Sequence, residues 1–242
     1  MNKAQTLKVE IWSDIVCPFC FLGKRKFEQA LEQFDHKQDI EIIWRSFQLN
    51  PGVQTDTSMP VYKYLSRTKG ISEEVAKQMT QQITERGLEV GIEYKFDETT
   101  VNNTLLAHCF LHYALDQGKQ NEAKELLLSV YFEKGENVDD LETIMNIGRI
   151  LDFDEGELRA VLTENRYKKE VLADMELAQR FGVRGVPFFV FDRKYAVSGA
   201  QEIPVFIQTL IKAHDEWKNR LAVQTIQVTE GESCSTDNDN CA

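Results

Sequence analysis

Four of the five cysteines in this chain come in close pairs, Cys17 with Cys20 and Cys234 with Cys241, while Cys109 stands alone. The first pair forms Cys17-Pro18-Phe19-Cys20. At the start of a helix, the first sulfur of such a pair meets unpaired backbone N–H groups and the positive end of the helix dipole. Both favour a thiolate, so Cys17 is expected to ionise below the free-thiol value. Cys20 then lies on the same helical face, within disulfide reach, and can resolve a mixed disulfide formed on Cys17. Pro18 brings a fixed φ to the first turn, where a missing N–H costs nothing, and Phe19 sets an apolar ring beside the sulfurs. Both are expected to modulate the pair. The competing use of two cysteines is half of a zinc site. Tetrahedral zinc needs four ligands, and no second Cys-x-x-Cys or Cys/His pair stands at finger spacing, so no metal is expected.

The elements around the motif must supply that helix start. Residues 7 to 13 alternate around Val9 and Ile11 as a strand does, and the segment from Cys17 through Phe21, Leu22, Phe27, Ala30, Leu31 and Phe34 has helical spacing. Residues 40 to 47, β-branched and aromatic, follow at a distance that suits a parallel crossover, which makes a β-α-β unit. From about Pro60 to Arg180 the pattern is helical, interrupted at Gly70, Gly91, Gly118, Gly135 and Gly156. Strand character returns at 188 to 191 and 195 to 199 around a turn-like Asp192-Arg193-Lys194, and a closing helix runs from Ile203 to Trp217. The sheet is therefore assembled from both ends of the chain. The expected fold is α/β: residues 1–58 and 168–222 form one discontinuous domain, 59–167 a large all-helical insertion, and 223–242 a polar tail carrying the second cysteine pair.

Other residues carry chemistry with weaker claims. Cys234 and Cys241 could close a disulfide across a short segment and exchange with Cys17 and Cys20, or be two inert thiols in a polar tail. His108 and His112 are one helical turn apart beside Cys109. Their neighbours Leu105, Leu106, Phe110 and Leu111 favour helix packing over metal binding, with Cys109 a small buried hydrophobe. His36 and His214 read as surface positions, and Trp12 and Trp44 as sheet packing.

With 39 acidic against 28 basic residues the net charge is -11, which repels phosphate backbones and anionic lipid surfaces, so neither nucleic acid nor membrane is expected as a partner. No run reaches the ~20 apolar residues of a spanning helix. The opening residues lead directly into the first strand without an apolar stretch and cleavage site, which points to a cytoplasmic protein. There, cysteine pairs more often mean redox chemistry or metal than structural disulfides.

The segments Trp12-Ser13-Asp14-Ile15-Val16-Cys17-Pro18-Phe19-Cys20-Phe21-Leu22-Gly23 and Gly182-Val183-Arg184-Gly185-Val186-Pro187-Phe188-Phe189 resemble the DsbA-like family, in particular its FrnE-like cytosolic subgroup, and the likeness covers essentially residues 7 to 220. The resemblance implies a thioredoxin-like fold with an inserted helical domain, Cys17 as nucleophile and Cys20 as resolving thiol. It also implies a cis-proline at Pro187, with the carbonyl and N–H of Val186 free to pair with substrate backbone. The same superfamily includes glutathione-dependent 2-hydroxychromene-2-carboxylate isomerases and kappa-class glutathione transferases, which carry serine where the attacking cysteine would be. By similarity to that superfamily, the helix that starts at Asn103 and carries His108 faces a ligand cleft, although Cys109 stands where arginine is expected. Where a buried carboxylate serves the inner thiol in thioredoxin, this chain has Ile11, so the proton carrier for Cys20 is unassigned.

The expected activity is thiol-disulfide exchange on protein or small-molecule disulfides, without a cofactor but with glutathione as a redox partner it could use. The alternatives are a glutathione-dependent transferase or isomerase, and a redox-sensing or metal-sequestering thiol protein. A dimer is compatible with the apolar helical faces.

Overall fold

The computed structural model describes residues 5–224. Strands β1 (Leu7–Ser13), β2 (Ile40–Ser46), β5 (Phe188–Phe191) and β6 (Tyr195–Ser198) form a mixed sheet in the order β2-β1-β5-β6. Helix α1 (Pro18–Glu32) crosses between β1 and β2, which run parallel with Leu7 opposite Ile40 and Ser13 opposite Ser46. The hairpin β5-β6 adds antiparallel to β1, with Ile11 opposite Phe189. Of the seven residues of β1 only Lys8 is exposed, because helices cover both faces of this central strand. On one face Leu7, Val9 and Ile11 pack with Phe27 of α1, with Phe34 just past its end, and with Phe206 and Leu210 of α9 (Ile203–Gln224). On the other, Trp12 packs with Ala178 of α8 (Lys168–Arg180) and donates its indole N–H to the Asp174 carbonyl. The sequence alternation hides this second buried face: Glu10 is 1% exposed and is held by the guanidinium groups of Arg45 and Arg193.

Between β2 and β5 lie α2 (Val61–Lys69), α3 (Glu73–Leu88), α4 (Leu105–Asp116), α5 (Gln120–Phe132), α6 (Leu141–Ile150), α7 (Glu155–Thr163) and α8. The block is not all-helical as expected. A short antiparallel pair, β3 (Asp56–Pro60) and β4 (Thr100–Val101), ties the start of the insertion to the approach to α4. Two residues of β4 are too few for a periodic signal, so only the pairing reveals the strand. Gly70, Gly91, Gly118 and Gly135 stand at positive φ between elements, whereas Gly156, read as an interruption, lies in the first turn of α7.

The insertion is not an independent lobe. Its core, built on Phe110, Leu127, Leu128 and Phe132, takes in Ile15 and Phe21 from either side of the cysteine motif. Gln120 of α5 bonds both the N–H and the carbonyl of Trp44 in β2. Histidine 214, read as a surface residue, is 1% exposed: its ring bonds Asp39 and stacks on His36, beneath Trp217. A single imidazole on a helix gives no sequence sign of the side its neighbours close.

Candidate active site

The chain leaves β1, turns through Asp14, Ile15 and Val16, and enters α1 with Cys17 as the capping residue in extended conformation and Pro18 in the first helical turn. The Cys20 N–H bonds the Cys17 carbonyl at 3.0 Å, and the Tyr94 hydroxyl donates to the Pro18 carbonyl at 2.7 Å, fastening the motif to the insertion. Cys17 is 4% exposed and Cys20 fully buried, so the outer sulfur is the one a substrate can meet. Phe19 is 39% exposed beside them, with the Arg86 guanidinium 5.9 Å from its ring centre.

Opposite the motif, the Val186–Pro187 peptide is cis, and the Cys17 sulfur stands 3.5 Å from the Val186 carbonyl oxygen. Gly23 lets α1 come this close. A Cβ there would stand 2.9 Å from Pro187 Cγ and 3.4 Å from the Phe189 ring. Gly23→Ala is therefore expected to destabilise the fold by about 1–3 kcal/mol through overpacking. It should also weaken exchange by pushing Pro187 off the sulfurs, and urea unfolding together with a turnover assay would register both. An unchanged unfolding midpoint would contradict the close approach.

The hydrogen bond with Cys20, reinforced by burial, holds the Cys17 thiol well above the usual range. Burial also opposes ionisation of Cys20. There it is outweighed by the Cys17 hydrogen bond, the Lys124 charge, the Ser13 hydroxyl and the Asp14 backbone, and Cys20 falls below the ordinary value. The expectation of a lowered Cys17 is thus corrected: the interaction between the two sulfurs, followed by the Lys124 charge, favours ionisation of the inner one, and the helix start does not outweigh them. The two thiols interact strongly enough to titrate as a unit.

Asp14 is buried behind the motif. Its oxygens accept from the N–H groups of Ile15 and Leu49, both at 2.8 Å, and from His108 Nε2 at 3.3 Å. Burial works against its ionisation, but the His108 contact and the Leu49 N–H keep its carboxyl below the usual range. Burial likewise keeps His108 from gaining a proton more strongly than Asp14 favours one, so the ring is neutral and donates through Nε2. His108 is fully buried and does not reach the cleft. Asn103 is also committed elsewhere, accepting from the Leu105 N–H and donating to the Val53 carbonyl. Their neighbours Asn102 and Thr104 line the cleft instead.

That cleft has a volume of about 340 Å³ and lies between the motif and the insertion. Cys17, Pro18 and Phe19 form one wall, Leu65, Ile83 and Phe96 face them, and Gly185 and Val186 close the side. Among the described residues Asp14 and Lys69 are its charged wall positions. Cys109 lies away from it, fully buried, with burial pushing its thiol up to about 11. Cys234 and Cys241 lie outside the described residues.

Sequence reasoning missed Lys124, which is fully buried on α5. A signal existed: Lys124 falls on the stripe Ala123, Leu127, Leu128 and Tyr131, whose members are all buried, so a lysine there interrupts an apolar face.

A thioredoxin-type sheet, a dithiol at the head of its first helix, a cis-proline facing it and a helical insertion across β2 and β5 define a dithiol-bearing thioredoxin-fold protein. The family model for the DSBA-like thioredoxin domain matches residues 8–210, and the chain belongs to that family. It is 34% identical to a probable DsbA oxidoreductase from Streptomyces coelicolor whose crystal structure superposes with a TM-score of 0.81 over 98% of both chains. It is 25% identical over 190 residues to the uncharacterized protein YwbO of Bacillus subtilis, covering 76% of this chain and 86% of that one. The cytosolic disulfide reductase DsbM from Pseudomonas aeruginosa, also solved with GSH, shares the fold at 12% identity, with a TM-score of 0.55 over 90% of this chain and 100% of that one.

Proposed function

We propose that this protein is a thiol-disulfide oxidoreductase that acts on protein or small-molecule disulfides through Cys17 and Cys20. The carrying observation is the graded burial of two reduced sulfurs, the outer one facing both the Val186 carbonyl and an open cleft. Moving the shared proton from Cys17 to Cys20 places the thiolate on the accessible sulfur. Cys17 then attacks one sulfur of a substrate disulfide, and the other leaves as a thiolate that takes a proton from solvent. Cys20, deprotonated, attacks the Cys17 sulfur and expels the second substrate thiol, so two electrons pass to the substrate and the chain ends as its Cys17–Cys20 disulfide. The reverse sequence oxidises a substrate dithiol.

No metal or organic cofactor enters these steps. The cleft can seat the apolar flank of a disulfide substrate against Phe19, Leu65 and Ile83, while Val186 offers backbone groups to an extended segment. Glutathione, a partner chemistry suggested by the similarly folded DsbM, would return the disulfide form to the dithiol, and the cytoplasm is the compartment consistent with that role. Among the described residues, no helix is long and apolar enough to cross a membrane.

The test is single-turnover reduction of an insulin disulfide by stoichiometric reduced protein, followed by mass mapping of its cysteines. Loss of one insulin disulfide per chain with appearance of a Cys17–Cys20 bridge is the expected result. No exchange, or a bridge elsewhere, would overturn the reading.

A further inference from the structure

We propose that Lys124 is the base that takes the thiol proton of Cys20 when the mixed disulfide on Cys17 is resolved. The inference rests on the dithiol reading and supplies the proton carrier which that reading lacks. The position that a buried carboxylate would occupy on β1 holds Ile11, fully buried in the aliphatic and aromatic core between sheet and helices. The only carboxylate beside the motif among the cleft walls, Asp14, is fully engaged by two N–H groups and His108.

Lys124 arrives from the other side, on α5. It is fully buried, its Nζ has no hydrogen-bond partner, and it stands 5.5 Å from the centre of the Trp44 ring. Burying an ammonium with no hydrogen bond is costly, and a leucine or methionine would fill the same space without that cost. What faces it explains the choice. Cys20 is its strongest attractive neighbour, followed by Asp14 and Cys17, while Lys24 of α1 opposes. Lys24 is itself held by Glu28 and Glu125, both at 2.6 Å, and His108 of α4 also feels the Lys124 charge. The Ser13 hydroxyl, likewise without a partner, faces the same sulfur.

Burial brings the Lys124 ammonium down to about 8 while the thiolates pull it upward. Once Cys17 is in a mixed disulfide, its share of that pull is gone and Lys124 releases its proton more readily. The free amine then accepts the Cys20 proton once the two groups close to hydrogen-bond reach, and the Cys20 thiolate attacks Cys17. A new Cys17–Cys20 bond forms as the bond from Cys17 to substrate sulfur breaks, the departing thiolate takes a proton from solvent, and the ammonium loses its own to solvent.

Stopped-flow reaction of the reduced protein with dithiobis(nitrobenzoate) separates the two steps, since the first coloured thiolate released reports attack by Cys17 and the second attack by Cys20. In Lys124→Met the second release should slow at least ~tenfold at neutral pH. Its rate should then climb only where Cys20 ionises unaided, with the first release slowed less than the second. Lys124→Arg keeps the charge but cannot give up its proton, so it should share the slow second step. A second release at wild-type rate in either variant overturns the proposal.

If neither variant folds, lysine Nζ NMR on Cys20→Ser chain held as its Cys17 mixed disulfide decides. The Lys124 amine should be mostly neutral at about pH 8, the value it already approaches with thiolates present, and an ammonium there overturns the proposal. Should wild type release neither thiolate, or Cys17→Ser release both, the dithiol reading itself fails and the lysine role with it.

Discussion

Cys17→Ser is expected to lower disulfide exchange to the uncatalysed background, whereas Cys20→Ser should still attack but stop at a covalent adduct. The difference follows from burial. Cys17 alone reaches the cleft, and a serine hydroxyl, with no thiolate to offer, cannot replace it. With Cys20 gone, the mixed disulfide waits for an external thiol. An intramolecular thiol so placed has an effective concentration of about 10⁵ M or more, so millimolar reductant cannot substitute, and turnover should fall at least ~100-fold. Non-reducing gels after incubation with a disulfide-bonded protein would show about one adduct per chain for Cys20→Ser and none for Cys17→Ser. The double variant should be no worse than Cys17→Ser, because the two sulfurs act as a unit. An adduct in Cys17→Ser would show that Cys20 is reached first, and would sink the assignment of roles.

Asp14→Ala should be the most destabilising single change at the site, by about 3–5 kcal/mol, the cost of breaking a buried charged contact while its partners stay buried. The alanine strands the Ile15 and Leu49 N–H groups and leaves His108 without its acceptor, its Nδ1 being unpartnered already. On a total stability of about 5–15 kcal/mol this is a large fraction. The pH dependence has a definite sign. Asp14 and Glu10 both ionise at lower pH in the folded chain than an ordinary carboxylate does. For Glu10 burial opposes ionisation, and the hydrogen bonds from Arg193 and Arg45 overcome it. Each therefore adds stability that is fully present above the unfolded values of about 4 and is lost as pH falls through the folded ones. Urea unfolding from neutral pH down to about pH 3 should show wild-type stability dropping in the acid range, and Asp14→Ala dropping less because one of the buried contributors is gone. Parallel acid curves would mean that Asp14 is not ionised in the fold.

Much of this architecture was legible because it is written locally. The strands at 7–13, 188–191 and 195–198 and the closing helix emerge from residue type and turn chemistry, and the cysteine motif announces its place at a helix start. The alternation around Val9 and Ile11 gave no sign that Glu10 would be buried. Nothing adjacent in the chain tells that Arg45, Arg193 and α8 will cover the second face. His214 misled for the same reason, since its partners Asp39 and His36 lie far away in sequence.

By itself, then, the sequence determined that this chain makes a sheet from its two ends around a helical insertion, and that Cys17 and Cys20 sit together at the head of α1. Neighbouring residues suffice for that, because helix starts, strand alternation and a Cys-x-x-Cys spacing are short-range properties. Only the tertiary structure decided which sulfur ionises more readily, which groups surround the inner sulfur, and how the cleft is walled. Those depend on Lys124 coming from α5 to Cys20, on Gly23 admitting Pro187, and on Asn102 and Thr104 rather than Asn103 and His108 meeting the cleft. Electrostatic energy and steric contact follow distance in space, and folding brings these groups together from distant parts of the chain.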